Sequence, residues 1–296
     1  MSSRVLVLGS TGLLGQALLR QARAEGRHVQ GVARHAGPEG IASDLANPAA
    51  VQALLEQHDP GLIINAAAQT DLAACESAAG LAWRVNTALP GVLASWCAPR
   101  GARLVHVSTD HYYCGNANTL HSEDDAVTLV NDYARQKFCA EALVANCPGS
   151  LVVRTNIVGV RAWKDRPTFA EWAFGALRSG RPFGAFVDMW TSSIDADTLA
   201  ATLFELSDRG ATGRLNVATR GACSKRDCIV ALARATGLDA RLAEPASVRN
   251  LNGPRRANAL GLDVSRAEAL MGRRLPDTER VVDRLARSLL ENCHAS

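Results

Sequence analysis

Tyr133 and Lys137 stand four residues apart in Tyr133-Ala-Arg-Gln-Lys137. On a helix that spacing puts both side chains on one face. A free tyrosine has a pKa of about 10, too high for efficient proton transfer near neutrality. A lysine cation one turn away favours the phenolate and lowers that pKa. Such a pair can pass a proton to a substrate oxygen while a hydride moves at the attached carbon. The lysine can also hold the ribose of a nicotinamide cofactor. The chain has three tyrosines and three lysines in 296 residues, so chance supplies this pairing only about 0.03 times per chain. A third group is expected from the end of the preceding strand, where Leu104-Val-His-Val107 leads into Ser108-Thr109-Asp110. A hydroxyl there can hydrogen-bond a substrate carbonyl. Ser108 and Thr109 both qualify, and spacing does not choose between them. His111, Tyr112 and Tyr113 follow and are expected to line a substrate pocket. His111 is not needed as a base, since Tyr133 fills that role.

A second group of residues suits a nucleotide. Val5–Leu8 runs into Gly9-Ser-Thr11-Gly12-Leu13-Leu14-Gly15 and then a helix. At such a strand–turn–helix junction the first glycines let the backbone approach a pyrophosphate, and the third lets the helix pack on the sheet. The helix N-terminus adds free N–H groups and partial positive charge. The second strand ends in Arg34 and not in an acid. A guanidinium there pairs with a 2′-phosphate and favours NADP over NAD. Asp44 and Leu45 fall where an acid can meet the adenine amino group. Ala66, Ala67 and Ala68 end the next strand with small side chains that leave room for a ligand at the sheet's switch point.

Apolar runs of strand length must position these residues: Val5–Leu8, Val29–Ala33, Leu62–Asn65, Leu104–Val107 and Leu151–Arg154. They alternate with helical stretches at Leu13–Ala24, Pro48–Gln57, Leu81–Ala98 and Asp132–Asn146. Asn47 before Pro48 reads as an N-cap with proline at the first helical position. This alternation predicts an α/β fold, a Rossmann-type doubly wound parallel sheet. Further helices are expected at Phe169–Ser179, Asp195–Ser207, Ser224–Thr236 and Asp277–Leu290, separated by irregular pieces. The expected organisation is a dinucleotide-binding domain over 1–160, with later segments returning to it, and a smaller substrate-binding lobe over 161–296.

Composition narrows the function. Lys and Arg number 32 and Asp and Glu 29, a net charge of +3, too small to argue for nucleic acid. No apolar run approaches the roughly 20 residues of a membrane helix, and no secretory signal is legible. The eight cysteines form no C-x-x-C pair and are expected as free thiols in a reducing cytoplasm. No metal site is expected.

These motifs resemble the extended short-chain dehydrogenases/reductases. Gly9-x-x-Gly12-x-x-Gly15, Asn65-Ala-Ala-Ala68-Gln-Thr70, Val85-Asn86, Ser108-Thr109-Asp110, Tyr133-x-x-x-Lys137 and Arg154-Thr155 occur in that family's order, and the branch most resembled is the dTDP-4-dehydrorhamnose reductases. The resemblance implies a catalytic triad of Thr109, Tyr133 and Lys137. It also implies NADPH, or NADH, as cofactor and a keto group on a nucleotide-activated deoxysugar as substrate. Ser108, Asp110, His111, Tyr112, Asn156, Trp190 and Arg256 are the implied substrate contacts, and a homodimer is implied. Arg161, Lys164, Arg166, Arg255 and Arg256 are further candidates for a diphosphate. The substrate-facing motifs depart from the family pattern. Its R-T-x-W reads Arg154-Thr-Asn156-Ile157, and its D-Q-x-G-x-P-T reads Asp188-Met-Trp190-Thr-Ser-Ser193-Ile194. The reaction class therefore transfers better than the particular sugar. Two other readings share this scaffold: a non-catalytic NADP-binding regulatory subunit, and a sugar-nucleotide epimerase or dehydratase.

Overall fold

A computed structural model describes residues 4–37, 40–161, 163 and 166–294. In chain order the first elements are β1 (Val5–Leu8), α1 (Leu13–Ala24), β2 (Val29–Ala33), β3 (Ile41–Ala42), α2 (Pro48–His58) and β4 (Leu62–Asn65). Then come α3 (Leu72–Ser77), α4 (Ala79–Trp83), a π-helical turn (Arg84–Ala88), α5 (Leu89–Cys97), β5 (Arg103–Val107), β6 (Leu120–His121), α6 (Asp132–Val144) and β7 (Leu151–Arg154). The later half holds β8 (Ile157–Val158), α7 (Phe169–Arg178), β9 (Phe183–Phe186), β10 (Trp190–Thr191), β11 (Ile194–Asp195), α8 (Ala196–Asp208) and β12 (Gly213–Asn216). It ends with β13 (Cys223–Ser224), α9 (Lys225–Ala235), β14 (Ala243–Ala246), β15 (Ala259–Leu262), α10 (Ser265–Met271) and α11 (Thr278–His294).

Two compact units share the chain. The first comprises Met1–Thr109, Leu129–Arg154 and Ala200–Leu215, and the second Asp110–Thr128, Thr155–Leu199 and Asn216–Ser296. The first is organised by a seven-stranded sheet of order β12-β7-β5-β4-β1-β2-β3. Its pairs β1/β2, β1/β4, β4/β5, β5/β7 and β2/β3 are all parallel. The order reverses at β1, with β2 on one side and β4 on the other, and that is where a doubly wound sheet opens a crevice at its carboxyl edge. β1 and β4 are buried at every position, as strands covered on both faces must be. Leu6, Leu8, Ile63 and Leu104 pack with Leu55 of α2 and Leu93 of α5.

The second unit has a four-stranded sheet of order β13-β10-β15-β6 and the two-stranded pairs β11-β8 and β14-β9. Its core gathers Phe174 and Leu177 of α7, Ile229 and Leu232 of α9, and Val282, Leu285 and Leu289 of α11.

The Asn47 side chain accepts from the backbone N–H groups of Ala49 and Ala50, with Pro48 in the first turn of α2, as the sequence predicts. Two expectations need correction. The single helix expected over Leu81–Ala98 is broken by the π-turn, in which the Leu89 N–H reaches the Arg84 carbonyl five residues back. Pro90 has no N–H for the carbonyl four residues before it, so an unbroken α-helical ladder is not available there. The other correction concerns the thiols: Cys223 and Cys228 are joined as a disulfide, with Cα atoms 6.5 Å apart. β13 turns directly into α9, and this folds the two cysteines together across a spacing that matches no familiar motif. Cys75, Cys97, Cys114, Cys139, Cys147 and Cys293 are free.

Candidate active site

The nucleotide cradle lies at the carboxyl ends of β1 and β4. Gly9 has φ of +80°, and a Cβ there would sit 2.8 Å from the Ala67 backbone. A Cβ on Gly15 would come within 2.1 Å of the Gly9 carbonyl oxygen. Both positions therefore require glycine. Gly12 is the N-cap of α1, in extended conformation and without a side-chain cap. Thr11, Gly12 and Leu13 are half-buried beside it, and Leu14 is buried. This cradle fits a pyrophosphate: the backbone approaches closely and the helix start offers donors to an anion. Arg34 follows β2 directly and is exposed, the position a 2′-phosphate partner needs. Asp44 is exposed, and its Oδ1 accepts from the Ala46 N–H at 3.0 Å. Leu45 packs against the core. Ala66 is half-buried, Ala67 buried and Ala68 exposed.

The proton-transfer end is built from β5 and α6. Asn131 caps α6, its side chain accepting from the Ala134 N–H. The Glu76 carboxylate accepts from the Asp132 N–H at 3.0 Å. Tyr133 sits in the first turn, half-buried, and Lys137 follows one turn on. Lys137 is only 1% exposed. Its Nζ donates to the Val107 carbonyl at 2.8 Å and lies 3.1 Å from His106 Nε2. The lysine is thereby fixed to the end of β5, two residues before Thr109, which is itself buried. Burial pulls the Lys137 pKa down to about 8, against an upward pull from Glu141. Burial, with Lys137 second, holds His106 well below the ordinary histidine value.

Of the two hydroxyls the sequence left open, Ser108 is committed elsewhere. Its Oγ donates to Glu141 Oε1 at 2.6 Å. Glu141 in turn takes Arg154 Nε at 3.0 Å and Nη2 at 2.8 Å in a fully buried ion pair. Arg214 Nε adds a contact at 3.2 Å. The expectation that Ser108 contacts substrate is therefore corrected: its hydroxyl serves the core. Tyr112 is corrected too, being 0% exposed with its ring edge-on to Tyr113.

In the second unit Asp110, Asn156, Ser193 and Thr191 form one polar chain. Asn156 Nδ2 donates to Asp110 Oδ2 at 2.7 Å, Ser193 Oγ donates to Asn156 Oδ1 at 2.6 Å, and Thr191 Oγ1 lies 3.0 Å from Ser193 Oγ. His111 is buried. Burial, helped by the Arg256 charge, lowers its pKa to about 4, so it is neutral near pH 7. Trp190 is half-buried in β10, while Arg255 and Arg256 are exposed. Arg161 stacks on Trp163, 4.1 Å from the ring centroid, and donates to the Arg166 carbonyl. Lys164 lies outside the described residues.

Several residues with clear roles here carried no sequence expectation. Asn86, in the π-turn, donates to the Gln69 carbonyl at 3.0 Å and to Gln136 Oε1 at 2.8 Å, and its Oδ1 accepts from the Gln69 N–H at 2.8 Å. It ties the segment after β4 to the helix that carries Tyr133 and Lys137. Val85-Asn86 was visible as a motif, but nothing in its spacing names these partners. Lys225 stands at the start of α9, its Nζ 4.3 Å from the Phe169 ring centroid. Burial holds it below the ordinary lysine value, with Asp110 opposing. Its rarity as one of three lysines was the available signal.

A parallel sheet with its reversal at a glycine cradle, and a Tyr-x-x-x-Lys helix beside the next strand end, define an extended short-chain dehydrogenase/reductase. The family model described as "RmlD substrate binding domain" matches residues 3–290, and the chain belongs to that family. A Haloferax volcanii protein named "Probable low-salt glycan biosynthesis reductase Agl14" is 32% identical over 281 residues, covering 92% of this chain and 94% of that protein. The dTDP-4-dehydrorhamnose reductase of Mycobacterium tuberculosis is 30% identical, with 92% and 88% covered. Among solved structures, dTDP-4-dehydrorhamnose reductase from Bacillus anthracis in complex with NADP superposes with a TM-score of 0.85. That match is 21% identical and covers 96% of this chain and 99% of that one; at this identity it speaks for the fold. Among the described residues no helix is long and apolar enough to cross a membrane.

Proposed function

We propose that this protein reduces a keto group on a nucleotide-activated deoxysugar at the expense of NADPH, as its dTDP-4-dehydrorhamnose reductase relatives are named for doing. The observation that carries the reading is the attachment of Lys137 to the end of β5, one helical turn from Tyr133. A bound nicotinamide supplies the hydride. Tyr133 gives its hydroxyl proton to the carbonyl oxygen that becomes the new alcohol. Lys137, when protonated, stabilises the phenolate left behind. Thr109 is the hydroxyl that hydrogen-bonds the substrate oxygen, since Ser108 is bound to Glu141. The Gly9–Gly15 turn holds the pyrophosphate and Arg34 the 2′-phosphate. Asp110, His111, Asn156, Trp190 and Arg256 supply the sugar-nucleotide contacts, with His111 as a neutral hydrogen-bonding group. The same reading expects a cytoplasmic homodimer, and light scattering on the purified protein checks the dimer.

The test is NADPH consumption against a panel of nucleotide-linked 4-keto-6-deoxysugars, beginning with dTDP-4-dehydrorhamnose. We expect turnover with at least one of them, and a loss of about 10²- to 10⁴-fold in Tyr133→Phe, the usual contribution of a positioned acid. NADPH binding without turnover across the panel overturns the reductase reading in favour of a regulatory subunit. Tightly retained NAD with epimer or dehydrated product favours the epimerase or dehydratase.

A further inference from the structure

His106 lies on β5 with no exposed surface, and both its ring nitrogens are engaged. On one side Asn65 Nδ2 is 3.2 Å from His106 Nδ1. On the other, Lys137 Nζ is 3.1 Å from His106 Nε2. The orientation of the Asn65 amide is set by a third contact, in which its Oδ1 accepts from the Ala67 N–H at 3.2 Å. A backbone N–H needs an oxygen opposite it, so the amide nitrogen must face the histidine. Asn65 therefore donates to Nδ1, and Nδ1 is an acceptor. A neutral imidazole has one donor and one acceptor nitrogen, so Nε2 carries the hydrogen and points it at Lys137. An ammonium has three donors and no lone pair, and two donors do not hydrogen-bond each other. The contact is satisfied when Lys137 is an amine that accepts from His106 Nε2–H and donates to the Val107 carbonyl.

We propose that His106 is a positioning residue that parks Lys137 on β5 in its neutral amine form, and that the Asn65 amide sets the histidine tautomer that makes this so. The ammonium needed beside Tyr133 then forms as Lys137 leaves this contact or as the ring's tautomer reverses. Asn65 and Ala67 border the nucleotide cradle, so events there are coupled through one imidazole to the catalytic lysine.

The other charged and titratable groups around Lys137 do not supply this control. On α6 itself they are Asp132, Tyr133, Arg135, Cys139, which is exposed, and Glu141. Arg154 and Arg214 already pair with Glu141, and Arg135 pairs with Asp132. From the elements packed on α6 come Cys75 and Glu76 of α3, Arg84 of the π-turn and Cys97 of α5, whose thiol burial also pushes up. Glu76 is engaged at the Asp132 N–H, and burial pushes the Cys75 thiol up to about 11.

The inference rests on Lys137 being the catalytic lysine of the proposed reductase, but its test needs no turnover. Three lysines in the whole chain make the experiment simple. Protein labelled with ¹³C-lysine gives three side-chain signals, and Lys137→Met assigns one. In the cofactor-free protein that signal is expected to titrate near 8 or lower, and ¹⁵N-histidine spectra are expected to show His106 as the Nε2–H tautomer. His106→Gln presents a carbonyl that accepts from an ammonium, and it should raise the Lys137 midpoint by about half a pH unit or more. Asn65→Asp keeps the Ala67 contact and the imidazole but accepts from Nδ1–H, so it should convert His106 to the Nδ1–H tautomer. This second variant serves if His106→Gln does not fold. A Lys137 midpoint at the ordinary lysine value, a midpoint unmoved in folded His106→Gln, or an Nδ1–H tautomer in the wild type overturns the proposal. If Lys137→Met keeps full reductase activity, the catalytic assignment fails and the titration result still stands by itself.

Discussion

The polar residues of the two units are held in different ways. In the first unit they are sunk into regular structure. Asn65 and His106 sit inside β4 and β5, Lys137, Gln136 and Glu141 on the buried side of α6, and Arg154 at the end of β7, all at or below 4% exposure. His106 is held from β4 and α6, and Glu141 from β7 and β12. In the second unit the polar chain runs through the ends of short strands, from Asp110 through Asn156 to Ser193 and Thr191, and Arg166, Arg255 and Arg256, offered to a diphosphate, are exposed. A buried network in regular structure tolerates few alternatives, because each unmet partner is costly. Exposed arginines can change without unfolding anything. The contrast predicts that substitutions in the first unit's buried network cost more stability than substitutions at the second unit's exposed arginines.

The comparison breaks if substitutions in the two units cost the same. The largest effect is expected at Glu141. Glu141→Leu leaves Arg154 buried without its carboxylate, and urea unfolding should show a loss of about 3–5 kcal/mol. The double variant Glu141→Leu/Arg154→Met should recover much of it.

Next comes Lys137, whose folded pKa of about 8 lies below the ordinary 10.5. Between those values the unfolded chain binds a proton that the folded chain has released. Stability should therefore rise with pH through that window. Compared with Lys137→Met, which cannot titrate there, the wild type should gain on the order of 3 kcal/mol from pH 8 to pH 10.5. Equal pH profiles for the two proteins refute the burial cost.

Asn86→Ala removes the partner of Gln69 and Gln136 and should cost about 1–3 kcal/mol, with weaker NADPH binding measured by fluorescence titration. Arg256→Ala, in the second unit, should change stability by no more than about 0.5 kcal/mol. It should move the His111 midpoint slightly up from about 4, as read by NMR, because burial is the larger influence and remains.

The sequence predicted the scaffold better than the wiring. β1, β2, β4, β7 and α1 fall where the apolar runs and the glycine turn place them, because those elements are set by local pattern. The π-turn was hidden, since Leu81–Ala98 has helical composition throughout and only Pro90 hints at a break. His106 looked like one more residue of a buried strand, and its partners Asn65 and Lys137 are 41 and 31 residues away. The place of Tyr112 after Ser108-Thr109-Asp110 suggests a pocket wall, yet the chain turns its ring into the core. The Cys223–Cys228 link depends on how β13 meets α9, which composition does not encode.

The sharing of the chain between units has a consequence for biosynthesis. Each unit is assembled from three segments, so the polypeptide passes between them at five junctions. The edge strand β12 of the first sheet arrives only with residues 213–216, after most of the second unit's α7 and β9–β11 has been made. Neither unit can be completed early on the ribosome, and truncated products ending before β12 leave the β7 edge of the sheet open to pairing with other chains. A split of the gene at any point between residues 110 and 199 therefore divides both units between two fragments that must find each other to fold.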